Sequence, residues 1–270
     1  MVRDRELEVG ARAHYDDPDY YTHTYRKRID DVQFYVDLGK KSGGPVLEYG
    51  AGNGRIALAL ARHGVNVTGV DHSPEMIRDF RTRLKREEAG VQKRVTLHRG
   101  DMRSLRLKRR FPLVLCTFNT ALHLYTRIDV ERFLARVKEH LRPGGTFVCD
   151  LSVPVLGDLT RDPARAYRAP SFTHPSAGRV RYEEYFDYDS ARQIMFVSMN
   201  FDPVDGSGAF STPLAHRQFF PREWEALLHY NGFRIEKVSG DFYGGPFDRT
   251  SDVMVWHATA VKRTGRATRP

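Results

Sequence analysis

The sequence predicts a doubly wound α/β domain, and three observations support this fold class. From Val46 onward, short apolar segments alternate with amphipathic stretches. A glycine-rich turn, Gly50 to Gly54, joins the first apolar segment to the first amphipathic one. Strands separated by helices require parallel crossovers, and these place helices on both faces of a mostly parallel sheet. A chain of 270 residues is long enough for such a domain with an insertion.

The first part of the chain divides into strands and helices in regular order. Each predicted strand is a short apolar run, and the helices have recognisable ends. Ser73 and Pro74 are typical of a helix start, and Gly64 is typical of a helix end. The predicted strands are 45–49, 65–70, 95–98, 113–117 and 146–151, and the predicted helices are 55–63, 73–88 and 129–141.

The alternation changes after the fifth strand. We predict a three-stranded antiparallel meander (179–188, 193–202 and 210–220) within an insertion that spans 155–220. A helix over 221–230 and two last strands, 233–238 and 253–261, follow. The predicted organisation is an N-terminal helical lid (1–44), a cofactor-binding core (45–154 and 221–262), the β insertion (155–220) and a basic tail (263–270).

The chain is basic, with 43 Lys and Arg against 34 Asp and Glu, a net charge of +9. Between Arg78 and Arg110, thirteen basic residues face four acidic ones. This segment either forms a solvated surface or attracts nucleic acid. Because no aromatic residue alternates with the basic ones after Phe80, a platform for stacking bases is not indicated, and nucleic acid is not the expected partner.

Composition also predicts the compartment. The charged start of the chain does not resemble a signal peptide, and no run is apolar enough for a membrane span. The two cysteines, Cys116 and Cys149, lie in apolar strands and lack metal-ligand spacing. We therefore expect a cytoplasmic protein with no metal and no membrane contact.

The glycine-rich turn is the strongest motif. Glycines allow a tight turn and a close approach of the backbone to a ligand, and the helix that follows offers free N–H groups. A dinucleotide fingerprint requires a third glycine at position 55, where this chain has Arg55. The observed spacing is instead Gly50, Gly52 and Gly54, preceded by Glu48.

Two acids follow the next two strands. Asp71 ends the second strand, at the distance where a carboxylate hydrogen-bonds ribose hydroxyls. Asp101, before Met102, follows the third strand, where a carboxylate can accept a hydrogen bond from an adenine amine. Each acid alone is typical of a cap or turn, whereas their order after the glycine-rich turn indicates a nucleoside-bearing cofactor.

These motifs resemble those of the class I S-adenosylmethionine-dependent methyltransferases, which have a Rossmann-like fold. The resemblance is strongest from Pro45 to Leu151. It implies a seven-stranded sheet whose last strand is antiparallel, with S-adenosyl-L-methionine as methyl donor and S-adenosyl-L-homocysteine as product. One departure is Phe111-Pro112, where the family often has Phe-Asp before the fourth strand.

The resemblance also implies site residues. The glycine-rich turn holds the methionine end of the cofactor, Asp71 the ribose, and Asp101 with the N–H of Met102 the adenine. The cofactor-binding residues expected on this basis are Tyr20, Arg28, Glu48, Gly50, Ala51, Gly52, Gly54, Asp71, His72, Asp101, Met102 and Asn119.

The N-terminal segment is similar to the lid of small-molecule members, amino-sugar N-methyltransferases among them. In such enzymes aromatic side chains enclose the transferring methyl group, which implies this role for Tyr15, Tyr20 and Tyr21. Arg28 is the candidate for the cofactor carboxylate. The alternative is that Tyr20, Tyr21 and Tyr25 are ordinary residues of an amphipathic helix.

The chemistry needs correct positioning and, for a hydroxyl acceptor, a base. Asn119 and His123 follow the fourth strand, at the edge where open α/β sheets bind ligands. His123 is the candidate general base, although a lone histidine is also typical of a structural hydrogen bond.

We expect the lid and the insertion to form the pocket for the methyl acceptor, since the core accounts only for the cofactor. Tyr15, Tyr21, Tyr182, His216 and Arg217 are the predicted substrate-binding residues. The alternative role for the insertion is a homodimer interface. Three functions stay open at this point: methyl transfer to nitrogen or oxygen of a small molecule, methyl transfer to RNA or protein, and non-catalytic binding of S-adenosylmethionine or a nucleotide.

Overall fold

The computed structural model describes residues 4–261. The predicted basic tail, 263–270, lies outside the described residues. Within 4–261, none of the helices has the length and apolar character needed to cross a membrane.

Helices and strands follow one another in the predicted order through the core. The N-terminal helices come first, the core strands alternate with helices, and the insertion precedes the last helix and two strands. The bounds are α1 Arg5–Gly10, α2 Pro18–Tyr25, α3 Asp30–Ser42, β1 Val46–Tyr49, α4 Arg55–Arg62, β2 Val67–Asp71, α5 Pro74–Leu84, α6 Ala89–Gln92, β3 Val95–Arg99, β4 Phe111–Cys116, α7 Arg127–His140, β5 Leu141–Ser152, α8 Leu156–Leu159, β6 Tyr167–His174, β7 Gly178–Asp189, β8 Ile194–Pro203, β9 Phe210–Arg217, α9 Pro221–Tyr230, β10 Phe233–Ser239 and β11 Val253–Ala260, with short 3₁₀ turns at Ala13–Tyr15 and Thr120–His123.

The main sheet confirms the predicted fold class. Its seven strands, within the described residues, lie in the order β10-β11-β5-β4-β1-β2-β3. Neighbouring strands in the stretch β5-β4-β1-β2-β3 pair in parallel, whereas β11 is antiparallel to both β5 and β10. The strand order reverses between β1 and β4, so their carboxyl ends open a crevice where α/β proteins of this type bind ligands.

Both faces of the sheet are covered, which explains why its central strands are nearly continuous apolar runs. Leu47 and Tyr49 pack on one side with Phe133. Val46 packs on the other side with Tyr35 and with residues of α4. The site is therefore built at the edge of a rigid, fully packed layer.

The insertion contains a four-stranded antiparallel sheet, which includes the predicted three-stranded meander as β7, β8 and β9 and adds one strand to it. The sheet order is β6-β7-β8-β9, and β6 is the strand that sequence analysis missed. β6 carries Pro170, several of its residues are exposed, and its pairing with β7 shifts between Ala169 and Phe172. Proline is tolerated in such an edge strand, which lacks the regular alternation by which strands are recognised.

The helix predicted to run to residue 88 also needs correction. α5 ends at Leu84, and the separate turn α6 follows. The four residues from Lys85 to Glu88 are all charged. Because none of them can be buried against the sheet, the helix loses its packing there.

Candidate active site

The glycine-rich turn folds as a tight loop at the crevice. Gly50, Gly52 and Gly54 have φ angles of 67°, 54° and 89°. A Cβ at Gly50 would come within 2.3 Å of the Thr120 side chain, and one at Gly54 within 2.5 Å of the Phe80 ring. At Gly52, by contrast, no atom lies within 4 Å of the position that a Cβ would take, so the turn has an open side at this residue.

Gly54→Ala should therefore destabilise the fold through close packing as well as through backbone strain. The positive φ costs about 1 kcal/mol for an L-residue, and the overlap with the buried Phe80 ring adds about 1–3 kcal/mol. Gly64→Ala is the matched control, because Gly64 has φ 85° and no atom near its Cβ position. Urea unfolding would compare the two variants. Equal losses would show that the Phe80 contact contributes nothing.

Asp71 connects the turn to the start of α5. Its Oδ2 accepts a hydrogen bond from the Gly52 N–H at 2.7 Å, and its Oδ1 accepts from the Ser73 N–H at 2.9 Å. The side chain of Ser73 in turn caps α5 by accepting from the Met76 N–H. The carboxylate predicted to bind ribose thus also fixes the two backbone segments on either side of it, next to the exposed His72.

Glu48 lies beneath the turn and is 1% exposed. Its Oε1 accepts a hydrogen bond from the Thr117 hydroxyl at 3.1 Å, whereas its buried Oε2 has no hydrogen-bond partner within residues 4–261. Burial raises the pKa of this carboxyl group to about 8. The group is therefore mostly protonated at neutral pH, and a proton on Oε2 needs an acceptor.

The carboxylate of Asp101, predicted to recognise adenine, accepts hydrogen bonds from Arg103. The backbone N–H and guanidinium of Arg103 donate to both carboxylate oxygens at 2.7–3.1 Å, and the guanidinium also reaches Asp129 at 2.8 Å. Met102 packs partly against the core. Arg103 thereby holds the Asp101 carboxylate in place and uses part of its capacity to accept hydrogen bonds.

Sequence analysis missed the ion pair between Arg55 and Asp31. The guanidinium donates to both carboxylate oxygens of Asp31, whose side chain is fully buried. This pair joins α3 to the first residue of α4. The sequence does contain a signal for this pair. Arg55 begins a helix, and a cation at a helix N-terminus is unfavourable unless it has an anionic partner.

The turn after β4 is strained. Phe118 and Asn119 both have positive φ, 53° and 63°, which costs about 1–3 kcal/mol for each non-glycine residue. The buried carboxylate of Asp150 accepts from the Phe118 N–H at 2.8 Å and from the Tyr35 hydroxyl. Both ends of the Asn119 amide are bonded to Ser152, so its side chain braces the turn instead of reaching a ligand.

Aromatic and imidazole rings from the lid and from the β4 turn meet above the crevice. Tyr25 lies 4.8 Å from Tyr21 and 4.9 Å from Phe118, measured between ring centroids. Arg28 and Arg55 lie over Phe118, at 4.9 and 5.0 Å from its centroid. The buried Nε of Arg28 lies 3.8 Å from Asp30 Oδ1 and has no hydrogen-bond partner among the described residues. We call this set the ring cluster, and its members are His14, Tyr15, Tyr21, Tyr25, Phe118 and His123.

The ring cluster is uncharged at neutral pH. Burial lowers the pKa of both His14 and His123 to about 4. Burial also raises the pKa of Tyr25 to about 12 and raises that of Tyr21. The imidazoles are therefore neutral and the phenols protonated. The cause is the same for all four, since removal from water penalises the charged form.

Tyr20, predicted to bind the cofactor, packs mainly against the insertion, and its ring also meets that of His14 at 6.0 Å. Its ring stacks on His174 at 4.8 Å and meets Phe201 edge-on at 5.1 Å, in a cluster with the insertion. Successive side chains on a helix point about 100° apart, so Tyr21 faces the ring cluster while Tyr20 attaches α2 to the insertion.

The insertion residues predicted to bind substrate have different surroundings. The His216 ring lies 5.0 Å from that of His123, and its buried Nε2 has no hydrogen-bond partner in the described part of the chain. The Tyr182 hydroxyl donates to Glu184. Arg217 donates to the Tyr125 carbonyl, to Gln193 and to Glu223 at 2.6–2.9 Å. These contacts tie the insertion to Tyr125 and α9. The buried Nε of Arg217 lacks a hydrogen-bond partner among the described residues, and its contact with the substrate stays a prediction.

Comparisons with known proteins agree with this architecture. Residues 46–145 match the family model described as a methyltransferase domain. The chain is 30% identical over 222 residues to a cypemycin N-terminal methyltransferase from a Streptomyces species, covering 79% of this chain and 82% of that protein. It is 25% identical over 224 residues to the dTDP-3-amino-3,4,6-trideoxy-alpha-D-glucopyranose N,N-dimethyltransferase of Streptomyces venezuelae, covering 80% and 86%.

Solved structures show the same fold. The CcbJ methyltransferase from Streptomyces caelestis superposes with a TM-score of 0.74 at 24% identity, covering 91% of this chain and 98% of that one. Sequence motifs, strand order and relatives agree, and the chain belongs to the class I S-adenosylmethionine-dependent methyltransferases.

Proposed function

We propose that this enzyme transfers the methyl group of S-adenosylmethionine to the nitrogen of a small-molecule amine. The observation that carries the proposal is the uncharged ring cluster. The burial that lowers the pKa of His14 and His123 would also lower the pKa of an amine bound there. The acceptor would then be held as the neutral amine, which is the nucleophilic form.

A hydroxyl acceptor is less suited to this site. Methyl transfer to oxygen requires a base that removes the hydroxyl proton. His123 is the candidate base, and its pKa of about 4 makes it a weak one. His123 can still accept a hydrogen bond from an acceptor or from Tyr15, whose hydroxyl lies 2.7 Å from its Nε2. We therefore assign it to orienting the acceptor.

The residues at the crevice fit S-adenosylmethionine. The open side of the turn at Gly52 offers room. Two buried atoms that lack a hydrogen-bond partner among the described residues, Glu48 Oε2 and Arg28 Nε, offer polar contacts. When bound, the cofactor supplies a methyl group already activated as a sulfonium. The residues proposed to hold it are Arg28, Glu48, Gly50, Ala51, Gly52, Gly54, Asp71, His72, Asp101 and Met102, with Asn119 contributing through its backbone.

The ring cluster and the insertion would do the remaining work. Rings of Tyr15, Tyr21 and Phe118 exclude water and present π faces, which stabilise positive charge as it moves from sulfur to nitrogen. His216 and Tyr182 are proposed to border the acceptor from the insertion side. The two relatives described above support an amine, since one is named for an N,N-dimethylation and the other for methylation of a peptide N-terminus.

Release of S-adenosylhomocysteine should be faster with amines than with matched alcohols. The panel would pair cyclohexylamine with cyclohexanol, and would include trialanine and dTDP-3-amino-3,4,6-trideoxyglucose. We expect turnover with at least one amine at least about 100-fold above the alcohols, the usual contribution of a base that the site lacks. Turnover with alcohols at the rate of amines would overturn the preference for nitrogen.

Two further properties belong to the proposal. A homodimer through the insertion would use its outward face, where Arg181 pairs with Asp202 and Arg168 with Glu183. Sedimentation velocity would test it, and a monomer at micromolar concentration would exclude it.

A cytoplasmic location is supported by Cys116 and Cys149, both free and buried.

A further inference from the structure

Three hydrogen bonds form a chain that crosses the active site. The Tyr15 hydroxyl lies 2.7 Å from His123 Nε2, His123 Nδ1 lies 3.0 Å from the Tyr125 hydroxyl, and this hydroxyl donates to the Ala215 carbonyl at 2.9 Å. The chain runs from the lid through the β4 turn to strand β9 of the insertion. Its far end, Ala215, is fully buried.

The direction of every bond in this chain follows from the acceptor at its end. A carbonyl oxygen can only accept, so Tyr125 uses its single hydroxyl proton on Ala215. The Tyr125 oxygen must then accept from His123 Nδ1, and that nitrogen carries the imidazole proton. A neutral imidazole has one N–H, so Nε2 is left with a lone pair that accepts from Tyr15.

We propose that Tyr125 is a positioning residue that fixes His123 in its Nδ1–H tautomer, so that Nε2 accepts from the Tyr15 hydroxyl and leaves the Tyr15 oxygen to accept a hydrogen bond from the methyl acceptor. The tautomer rests on the hydrogen-bond chain alone, while its use in methyl transfer rests on the proposed function.

The opposite tautomer has no comparable arrangement. With the proton on Nε2, the Nδ1 lone pair would face an oxygen lone pair of Tyr125 at 3.0 Å. Turning the Tyr125 proton toward Nδ1 would instead leave the buried Ala215 carbonyl without this donor, which is unfavourable.

Strand β9 also holds the Tyr125 backbone. Arg217, two residues after Ala215, donates to the Tyr125 carbonyl at 2.9 Å. Tyr125 is thus bonded to β9 at both its carbonyl and its hydroxyl. The insertion therefore acts on the core histidine through Tyr125, in addition to bordering the acceptor.

Nitrogen NMR of the full chain labelled with ¹⁵N-histidine tests the inference. His123→Gln identifies the His123 signals by their loss. We expect the chemical shifts of a protonated Nδ1 and a bare Nε2 in the wild type. In Tyr125→Phe, the shifts should move toward the Nε2–H tautomer, because the acceptor for Nδ1–H is gone. kcat with the fastest amine of the panel should fall about 10- to 100-fold, as for other partners that orient a functional histidine, with KM for S-adenosylmethionine unchanged.

Two variants separate this role from a general loss of structure. Tyr15→Phe should keep the Nδ1–H tautomer, since Tyr15 is only the donor at Nε2. Tyr185→Phe removes a hydroxyl that bonds Glu183 at 3.1 Å on the outward face, and should change neither the shifts nor kcat.

The NMR result decides the inference by itself. A wild-type His123 protonated at Nε2, or unchanged His123 shifts in Tyr125→Phe, would overturn it. An Nδ1–H tautomer that depends on Tyr125 would support it even if no amine in the panel were methylated, and that second result would count against the proposed function alone.

Discussion

Replacing Arg55 by leucine should lower the free energy of unfolding by about 3–5 kcal/mol, the usual cost of leaving a buried charge without its partner. The carboxylate of Asp31 has no exposed surface, and both of its oxygens accept from the Arg55 guanidinium. Leucine would leave this carboxylate buried and unpaired. The double variant Arg55→Leu with Asp31→Leu should recover much of the loss, because it removes both charges.

Arg62→Leu is the matched control for this experiment. Arg62 ends the same helix and makes a two-bond pair with Glu87, but its side chain is 54% exposed. Surface ion pairs contribute about 1 kcal/mol or less, so Arg62→Leu should change stability little. Urea unfolding followed by circular dichroism would measure all three variants. Similar losses for Arg55→Leu and Arg62→Leu would contradict the buried ion pair.

Asp71→Ala should weaken the binding of S-adenosylmethionine by about 1–3 kcal/mol, or roughly 5- to 150-fold in Kd. The variant would remove the proposed bonds to the ribose. It would also free the Gly52 and Ser73 N–H groups, which the carboxylate now holds at 2.7 and 2.9 Å. The glycine-rich turn and the start of α5 would lose their common anchor, so the cost includes a less ordered site.

Titration calorimetry with S-adenosylmethionine would measure the loss for Asp71→Ala. Asp37→Ala offers a control, because Asp37 is exposed on α3 and accepts only from Gln33 among the bonds of the described residues. Its affinity for the cofactor should equal that of the wild type. If Asp71→Ala remained folded and bound with wild-type affinity, the assignment of the ribose site would be wrong.

The parts of the site that could be predicted are those that depend on local backbone geometry. Gly50, Gly52 and Gly54 all adopt the left-handed conformation that their spacing after a strand suggested. Asp71 ends β2 as expected, beside the turn. Such positions are recognisable because a tight strand-to-helix turn admits few residue types.

Other residues could not be assigned from their position in the sequence. Tyr20 and Tyr21 are neighbours of the same residue type. Only the packing of α2 against the insertion places the Tyr20 ring on the insertion sheet and the Tyr21 ring at the crevice. The partner of Arg103 is a further example, since its bonds to Asp101 and Asp129 depend on where the loop after β3 meets α7.

The sequence by itself determined the order of strands and helices, the glycine-rich turn and the acids at or just beyond the ends of β1, β2 and β3. These features depend on apolar periodicity and on backbone conformations that few residues can adopt, and both are local. The tertiary structure decided which tyrosine faces the crevice, which carboxylates are paired, and which nitrogen of His123 carries the proton. Those properties depend on burial and on hydrogen-bond partners that include residues far away in the chain, 24 residues for Arg55 with Asp31 and 108 for Tyr15 with His123. Such partners become adjacent only when the lid, the core and the insertion pack together.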